Sequence, residues 1–347
     1  MKAYLHIGSH KTGTTALQSF ALANRDWLAG RGLLYPGYDL IGGARSRSHL
    51  NMMAALSEDR VMPETSDPVR LLRAARQAAE ERRCNLLFSA ESLFRFGPAK
   101  IGKVCAALNE LEGMKIVVVC SLRPLSQFTE SLYRNGYRKY TRRPPEFPAW
   151  LAQSESKLDY ATIISSYVDR LVADRILLPY SSRTRDGFVH RFFAALGIAG
   201  TQEAVAPVRQ MNPSFDTVDC LAKRLLMGNR PDEPLSQAFN DFIFRNRIST
   251  GYVFLDRTYE AQFRELSGRN NDELIGFEPA MASVLGPGSD ALDGDPIDAS
   301  CMALAEERAA SFRKASMTPG FSARTSRGRK GAGRNSRGGS RPPVATG

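Results

Sequence analysis

The stretch Tyr4–Phe20, YLHIGSHKTGTTALQSF, combines a short apolar run, a glycine-containing turn and the start of a helix. The apolar residues before Gly8 predict a buried strand, and Gly13 closes a tight loop before the helical pattern that begins at Ala16. Backbone N–H groups and the positive end of the helix dipole meet at such a corner. Lys11 adds a cation, and three hydroxyls come from Thr12, Thr14 and Thr15. The corner therefore predicts a site for a phosphate or sulfate group.

The spacing of this loop differs from GxxxxGK[ST], the phosphate-binding loop of ATP- and GTP-hydrolysing proteins. Gly8 and Gly13 are correctly spaced, but Thr14 stands where that loop has its lysine, and Lys11 precedes the second glycine. The apolar run 116–119 is followed by Cys-Ser, with no aspartate to position magnesium. ATP or GTP hydrolysis is therefore disfavoured.

A second motif lies in residues 117–138, VVVCSLRPLSQFTESLYRNGYR. The continuous apolar run at its beginning predicts a central parallel strand that is buried on both faces. Pro124 predicts the start of a helix. Arg123 therefore falls at the carboxyl end of that strand, where open α/β sheets bind ligands. Ser131 follows on the predicted helix. An arginine there suits a terminal phosphate, because its planar side chain forms two charge-assisted hydrogen bonds.

Together the two motifs resemble those of the sulfotransferases that use 3′-phosphoadenosine 5′-phosphosulfate. KTGTT at 11–15 is similar to the family's 5′-phosphosulfate loop, and Arg123 with Ser131 is similar to its 3′-phosphate motif. The resemblance implies a P-loop NTPase-like sulfotransferase fold, an α/β three-layer sandwich with a central parallel sheet, and a donor bound without a metal. The implied donor contacts are Lys11, Thr12, Gly13, Thr14, Thr15, Arg123 and Ser131. His10 lies within the loop and is a further candidate contact.

Catalytic roles are also implied by the resemblance. Lys11 would stabilise the bridging oxygen of the donor as that oxygen gains charge. Two residues are candidates for the general base: Glu91, beside the loop after the predicted strand 85–89, and His49, in a region where some carbohydrate sulfotransferases carry the base. Arg209, in the segment RQMNPS, is a candidate second ligand for the 3′-phosphate.

Strand and helix patterns alternate along most of the 347 residues and predict one α/β domain over 1–285. An acidic Gly/Pro linker with a short helix follows over 286–315, and a basic disordered tail over 316–347. Seven cations and no acid lie in 321–347, and subtracting these seven from the net charge of +11 leaves +4 for the rest. Such a tail favours disorder over specific nucleic-acid binding.

The remaining composition predicts a cytoplasmic enzyme. The five cysteines are scattered and lack metal or CxxC spacing, the first strand follows Met1 closely, and no apolar run reaches the roughly twenty residues that span a bilayer. The acceptor is expected to be a hydroxyl on a carbohydrate or glycolipid. Two alternatives remain: a P-loop-type nucleotide kinase, and a non-catalytic anion- or nucleic-acid-binding protein that works through its basic tail.

Overall fold

Five parallel strands form the central sheet of this computed structural model. In chain order they are β1 (Lys2–His6), β2 (Leu33–Leu34), β3 (Asn85–Ser89), β4 (Lys115–Leu122) and β5 (Asp174–Pro179). Their spatial order is β2-β3-β1-β4-β5, so that β1 is central and Leu5 lies between Phe88 on β3 and Val118 on β4. The structure describes residues 1–9, 12–37, 48–57, 67–181, 187–204, 215–229, 231–255, 259, 265, 268, 272–286 and 295–317.

Helices connect these strands and continue after them. Those with complete bounds in the described residues are α1 (Thr14–Ala23), α2 (Arg25–Ala29), α3 (Leu50–Leu56), α4 (Pro68–Arg82), α5 (Pro98–Leu108), α6 (Leu125–Tyr137), α7 (Phe147–Ala152), α8 (Tyr160–Leu171), α9 (Phe188–Ala195), α10 (Thr217–Leu226), α11 (Glu233–Arg245), α12 (Ala282–Leu285) and α13 (Ala299–Ser316). Short 3-10 turns include Glu91–Arg95 and Asn109–Leu111. The predicted alternation of strands and helices is confirmed.

The sheet is buried on both faces, as expected for parallel strands. Successive side chains of a strand point to opposite faces, so β4 buries Val118 and Cys120 in one hydrophobic cluster and Val117 and Val119 in another. Helices α1, α2 and α9 cover the second face, whereas α3 to α6, α8, α10, α11 and α13 belong to the cluster on the first. A central parallel sheet between helical layers is therefore confirmed.

The helical pattern that begins at Ala16 is interrupted at Asn24. The Asn24 amide donates a hydrogen bond to the Phe20 carbonyl at 3.0 Å, and its backbone leaves the helical region with φ −116°. Short amide side chains compete in this way with the helical backbone bonds. The apolar spacing runs on through Trp27 and Leu28, so the pattern alone does not indicate the break.

The carboxyl-terminal helix α13 is longer than predicted and packs against α10. It buries a stripe at helical spacing: Cys301, Ala305, Ala309 and Phe312. Arg308 Nε donates a hydrogen bond to Asp219 Oδ1 at 2.9 Å, which joins the two helices. The core that begins at the sheet thus continues to Phe312, past residue 285.

A small second sheet pairs β6 (Tyr252–Val253) with β7 (Asp295–Pro296). Strands of two residues carry too little pattern to be detected from the sequence. Within the described part of the chain, none of the helices is both apolar and long enough to cross a bilayer.

Candidate functional site

The loop that leaves β1 is tied to the end of the neighbouring strand β4. Ser9 donates two hydrogen bonds to the Ser121 carbonyl, from its backbone N–H at 3.2 Å and from its Oγ at 2.7 Å. Ser121 precedes Arg123 by two residues. Because β1 and β4 are parallel, the loop and Arg123 lie at the same carboxyl edge of the sheet.

This edge is also where the chain connections diverge. The connection after β1 runs to β2 at one border of the sheet, and the connection after β4 runs to β5 at the other. Adjacent strands with diverging connections leave a crevice outside their carboxyl ends, and ligands of open α/β sheets bind there. The loop and Arg123 therefore border the crevice that the topology provides.

The loop closes into helix α1 through Gly13. Gly13 has φ +74°, a left-handed conformation that favours glycine, and Thr12 Oγ1 donates a hydrogen bond to the Ser9 carbonyl at 2.7 Å. The first intrahelical bonds are donated by Ala16 and Leu17 to the Gly13 carbonyl. The N–H groups of Thr14 and Thr15 precede these bonds, so the helix start can present them to an anion.

Tyr180 connects the loop to Arg123. A Cβ atom placed on Gly13 would lie 3.2 Å from the Tyr180 ring, and the Tyr180 N–H donates a hydrogen bond to the Leu122 carbonyl at 2.7 Å. Burial lowers the pKa of Arg123, and Tyr160 and Tyr180 oppose this effect in part. One aromatic side chain thus lies close to both proposed anion-binding groups.

Arg123 lies just before α6, and Ser131 lies on the helix. Arg123 Nη2 donates a hydrogen bond to Gln127 Oε1 at 3.3 Å, and Ser131 lies one helical turn beyond Gln127. Arg134, a cation on α6, lowers the pKa of Arg123 further, although less than burial does. Arg134 is itself ion-paired with Glu130 at 2.8 Å, so the charge offered to an anion at this end of β4 is that of Arg123.

Glu91 brings a carboxylate to the loop. It begins the 3-10 turn after β3, and its Oε2 accepts a hydrogen bond from Thr14 Oγ1 at the start of α1. Burial lowers the pKa of His6, the last residue of β1, and the negative charge of Glu91 opposes this in part. The structure thus places one of the two base candidates beside the anion loop.

His49, the other base candidate, lies in the core. Its Nδ1 accepts a hydrogen bond from the Ser89 N–H at 3.0 Å, so its Nε2 carries the proton and donates to the Pro36 carbonyl at 3.1 Å. Burial lowers the pKa of His49 to about 4. Both ring nitrogens are occupied by backbone groups, and this arrangement leaves neither of them to accept a proton from an acceptor hydroxyl.

Three further predicted site residues, His10, Lys11 and Arg209, lie outside the described residues. The sequence reasoning missed Ser9, Ser121 and Tyr180, which connect the loop to the strand ends. Their positions at or just beyond the carboxyl ends of predicted strands were the signal that could have identified them.

Three buried polar atoms at the carboxyl edge lack a hydrogen-bond partner within the described residues: His6 Nε2, Ser92 Oγ and Ser121 Oγ. They come from the end of β1, the turn after β3 and the end of β4. Buried polar groups are nearly always hydrogen-bonded in native proteins, so unpartnered atoms at three neighbouring strand ends make this edge the candidate site for a polar ligand.

A cleft of about 580 Å³ lies at the opposite, amino-terminal edge of the sheet, lined by Lys2, Asp174 and Arg175 among others. There Arg175 forms an ion pair with Glu273 at 3.4 Å and stacks on the Phe277 ring at 3.9 Å. Because this cation already has two protein partners, we place the candidate site at the carboxyl edge.

Comparison with protein families and with curated proteins finds no match. No protein-family model matches the sequence, and no curated protein is similar to it at a significant level. The functional assignment therefore depends on the motifs and on the geometry of the carboxyl edge.

Proposed function

We propose that this protein is a sulfotransferase that moves the sulfuryl group of 3′-phosphoadenosine 5′-phosphosulfate to an acceptor hydroxyl. The observation that carries the proposal is the direct hydrogen bonding of Ser9 to Ser121, which brings the loop and Arg123 to neighbouring strand ends. A nucleotide with phosphates at both its 5′ and 3′ positions requires two separate anion sites at one crevice. The loop suits the 5′-phosphosulfate, and Arg123 with Ser131 suits the 3′-phosphate.

The proposed reaction is an in-line displacement at sulfur. The acceptor oxygen forms the new S–O bond while the S–O bond to the 5′-phosphate breaks, and its electron pair leaves on adenosine 3′,5′-bisphosphate. The backbone N–H groups at the start of α1 would stabilise the charge on the leaving phosphate, together with Lys11 as the family resemblance implies. As in phosphoryl transfer, the protein mainly supplies positioning and charge stabilisation.

We assign the general base to Glu91 rather than His49. The Glu91 carboxylate lies at the loop and accepts one hydrogen bond from Thr14, and a carboxylate has two oxygens with several acceptor positions. It can therefore take the acceptor proton and keep the Thr14 contact. His49 would first have to give up a backbone hydrogen bond inside the core.

The variant Glu91→Gln tests this assignment, because glutamine can still accept the Thr14 hydrogen bond but does not act as a base. We expect turnover to fall about 100-fold or more with little change in donor binding, since general-base catalysis contributes about 10²- to 10⁴-fold. The exposed Glu112→Gln is the matched control. Turnover of Glu91→Gln near the wild-type value would remove Glu91 from the role.

A carbohydrate or glycolipid hydroxyl is the proposed acceptor class. Mass spectrometry of sulfated products that disappear when the gene is deleted identifies the acceptor directly. If every sulfated product is still present after the gene is deleted, this result counts against the proposal.

Two other functions make different predictions. A P-loop-type kinase would turn over ATP in the presence of magnesium, although the loop has Thr14 where a kinase has lysine. A binding protein that works through its basic tail would lose its activity when residues 318–347 are removed. We expect the shortened protein, which retains α13, to bind adenosine 3′,5′-bisphosphate as the full chain does.

A further inference from the structure

The side chain of His6 lies under the proposed anion loop. It is fully buried at the end of β1, and its Nδ1 is 2.8 Å from Ser89 Oγ. Its other nitrogen, Nε2, has no hydrogen-bond partner in the described part of the chain. A Cβ atom placed on Gly8 would lie 2.6 Å from Nε2 and 3.1 Å from Thr14 Cγ2. Nε2 therefore reaches the inner side of the loop, between its first glycine and the start of α1.

The neighbours of His6 favour the tautomer that carries its proton on Nε2. Gln18 Nε2 donates a hydrogen bond to Ser89 Oγ at 3.0 Å. The Ser89 hydroxyl can then donate its own hydrogen to His6 Nδ1. A histidine whose Nδ1 accepts a hydrogen bond carries its proton on Nε2. The chain of hydrogen bonds from Gln18 through Ser89 thus directs an N–H group at the loop.

This N–H group is neutral and held in place. Burial lowers the pKa of His6 to about 4, and the opposing effect of Glu91 is smaller. The ring also packs edge-on against Phe192, with 4.9 Å between the ring centroids. At neutral pH the ring is therefore an uncharged donor in a fixed orientation.

We propose that His6 is a donor-binding residue: its Nε2–H donates a hydrogen bond to a phosphate or sulfate oxygen held by the loop, and Ser89 and Gln18 set the tautomer that allows this. The inference rests on the proposed function, which supplies the anion. It explains why a buried histidine has one partnered and one unpartnered nitrogen among the described residues. It also gives Gly8 a role, because any side chain there would meet His6 Nε2.

Proton-detected NMR of ¹⁵N-histidine-labelled full-length protein tests the proposal, with adenosine 3′,5′-bisphosphate as the probe. In the free protein we expect His6 Nδ1 unprotonated and Nε2 protonated. On saturation the His6 Nε2–H signal should shift. His49 is an internal control, because its Nε2–H already donates to the Pro36 carbonyl and its signal should remain in place. A His6 signal that does not move when the ligand is bound would overturn the proposal.

Two variants measure the contribution of the donor by calorimetric titration. His6→Phe keeps a ring without a donor, and His6→Gln retains an N–H donor. Hydrogen bonds to charged groups contribute about 1.5 to 3 kcal/mol, so His6→Phe should weaken the dissociation constant about 10-fold or more, and His6→Gln should recover part of the loss. Melting temperatures of the free proteins show whether either variant is misfolded, in which case the NMR result on the wild type decides.

The outcomes separate the two claims. If the wild type binds the bisphosphate and His6→Phe binds it equally well, the role of His6 is refuted and the proposed function stands. If the wild type does not bind it at all, both are refuted.

Discussion

Replacing Arg123 by lysine tests the proposed 3′-phosphate site without changing the net charge. Lysine keeps a cation at the end of β4 but lacks the planar pair of donors that binds two phosphate oxygens at once. Arg123 is half-buried and already donates one hydrogen bond, to Gln127, so its side chain is held in one orientation. Lysine cannot reproduce that arrangement, because it presents a single ammonium group on a flexible stem.

The expected loss is that of one charge-assisted hydrogen bond, about 1.5 to 3 kcal/mol. This corresponds to a dissociation constant for adenosine 3′,5′-bisphosphate that is about 10- to 150-fold weaker. The assay is calorimetric titration of wild type and Arg123→Lys with two ligands, the bisphosphate and adenosine 5′-phosphate. The second ligand lacks the 3′-phosphate, so the variant should bind it nearly as the wild type does.

The exposed Arg142→Lys is the matched control and should bind both ligands normally. Equal weakening of both ligands by Arg123→Lys would show a general distortion of the crevice. Unchanged binding of the bisphosphate would mean that Arg123 does not contact the 3′-phosphate. Either result refutes the assignment of this residue.

Three further predictions concern packing, charge and the loop. Phe312→Ala removes a ring that is 2% exposed and contacts two phenylalanines. The free energy of unfolding in urea should therefore fall by about 3 to 5 kcal/mol. Leu304 is exposed, so the control Leu304→Ala should change this free energy little. Burial raises the pKa of Asp219 from 3.8 to about 6, so the folded state binds its proton more tightly; stability relative to Asp219→Asn should fall by about 2 kcal/mol as the pH rises from 4 to 6. Gly13→Ala and Gly197→Ala both place an alanine in the left-handed region, which costs about 1 to 2 kcal/mol of stability. Only the alanine Cβ at position 13 would lie 3.2 Å from the Tyr180 ring, so only Gly13→Ala should also weaken bisphosphate binding.

The pH experiment is contradicted if wild type and Asp219→Asn have parallel stability profiles. The packing experiment is contradicted if Phe312→Ala loses less than about 1 kcal/mol. Such a small loss would mean that α13 is not an integral part of the core.

The strands around the candidate site could be predicted because local patterns determine them. The apolar run before Gly8 and the run 116–119 are both strands, and Arg123 follows the second of them as expected. Parallel strands bring their carboxyl ends to one edge, so the placement of Glu91 near the loop also followed from the order of elements.

The features that could not be predicted depend on contacts between distant parts of the chain. His49 looked available as a base, but its ring nitrogens pair with the backbone of Pro36 and of Ser89, the latter 40 residues away. The packing of α13 on α10 depends in the same way on Arg308 reaching Asp219, 89 residues away. Sequence periodicity shows which face of an element is apolar and does not show which partner covers it.

The central claim is that one crevice holds a nucleotide through two separate anion sites. The most direct test is a calorimetric titration of the wild-type protein with adenosine 3′,5′-bisphosphate in the presence of EDTA, followed by competition with Mg²⁺-ATP. We predict binding of one bisphosphate per chain that needs no metal and that Mg²⁺-ATP displaces poorly. Absence of bisphosphate binding, or tighter binding of Mg²⁺-ATP, would contradict the account.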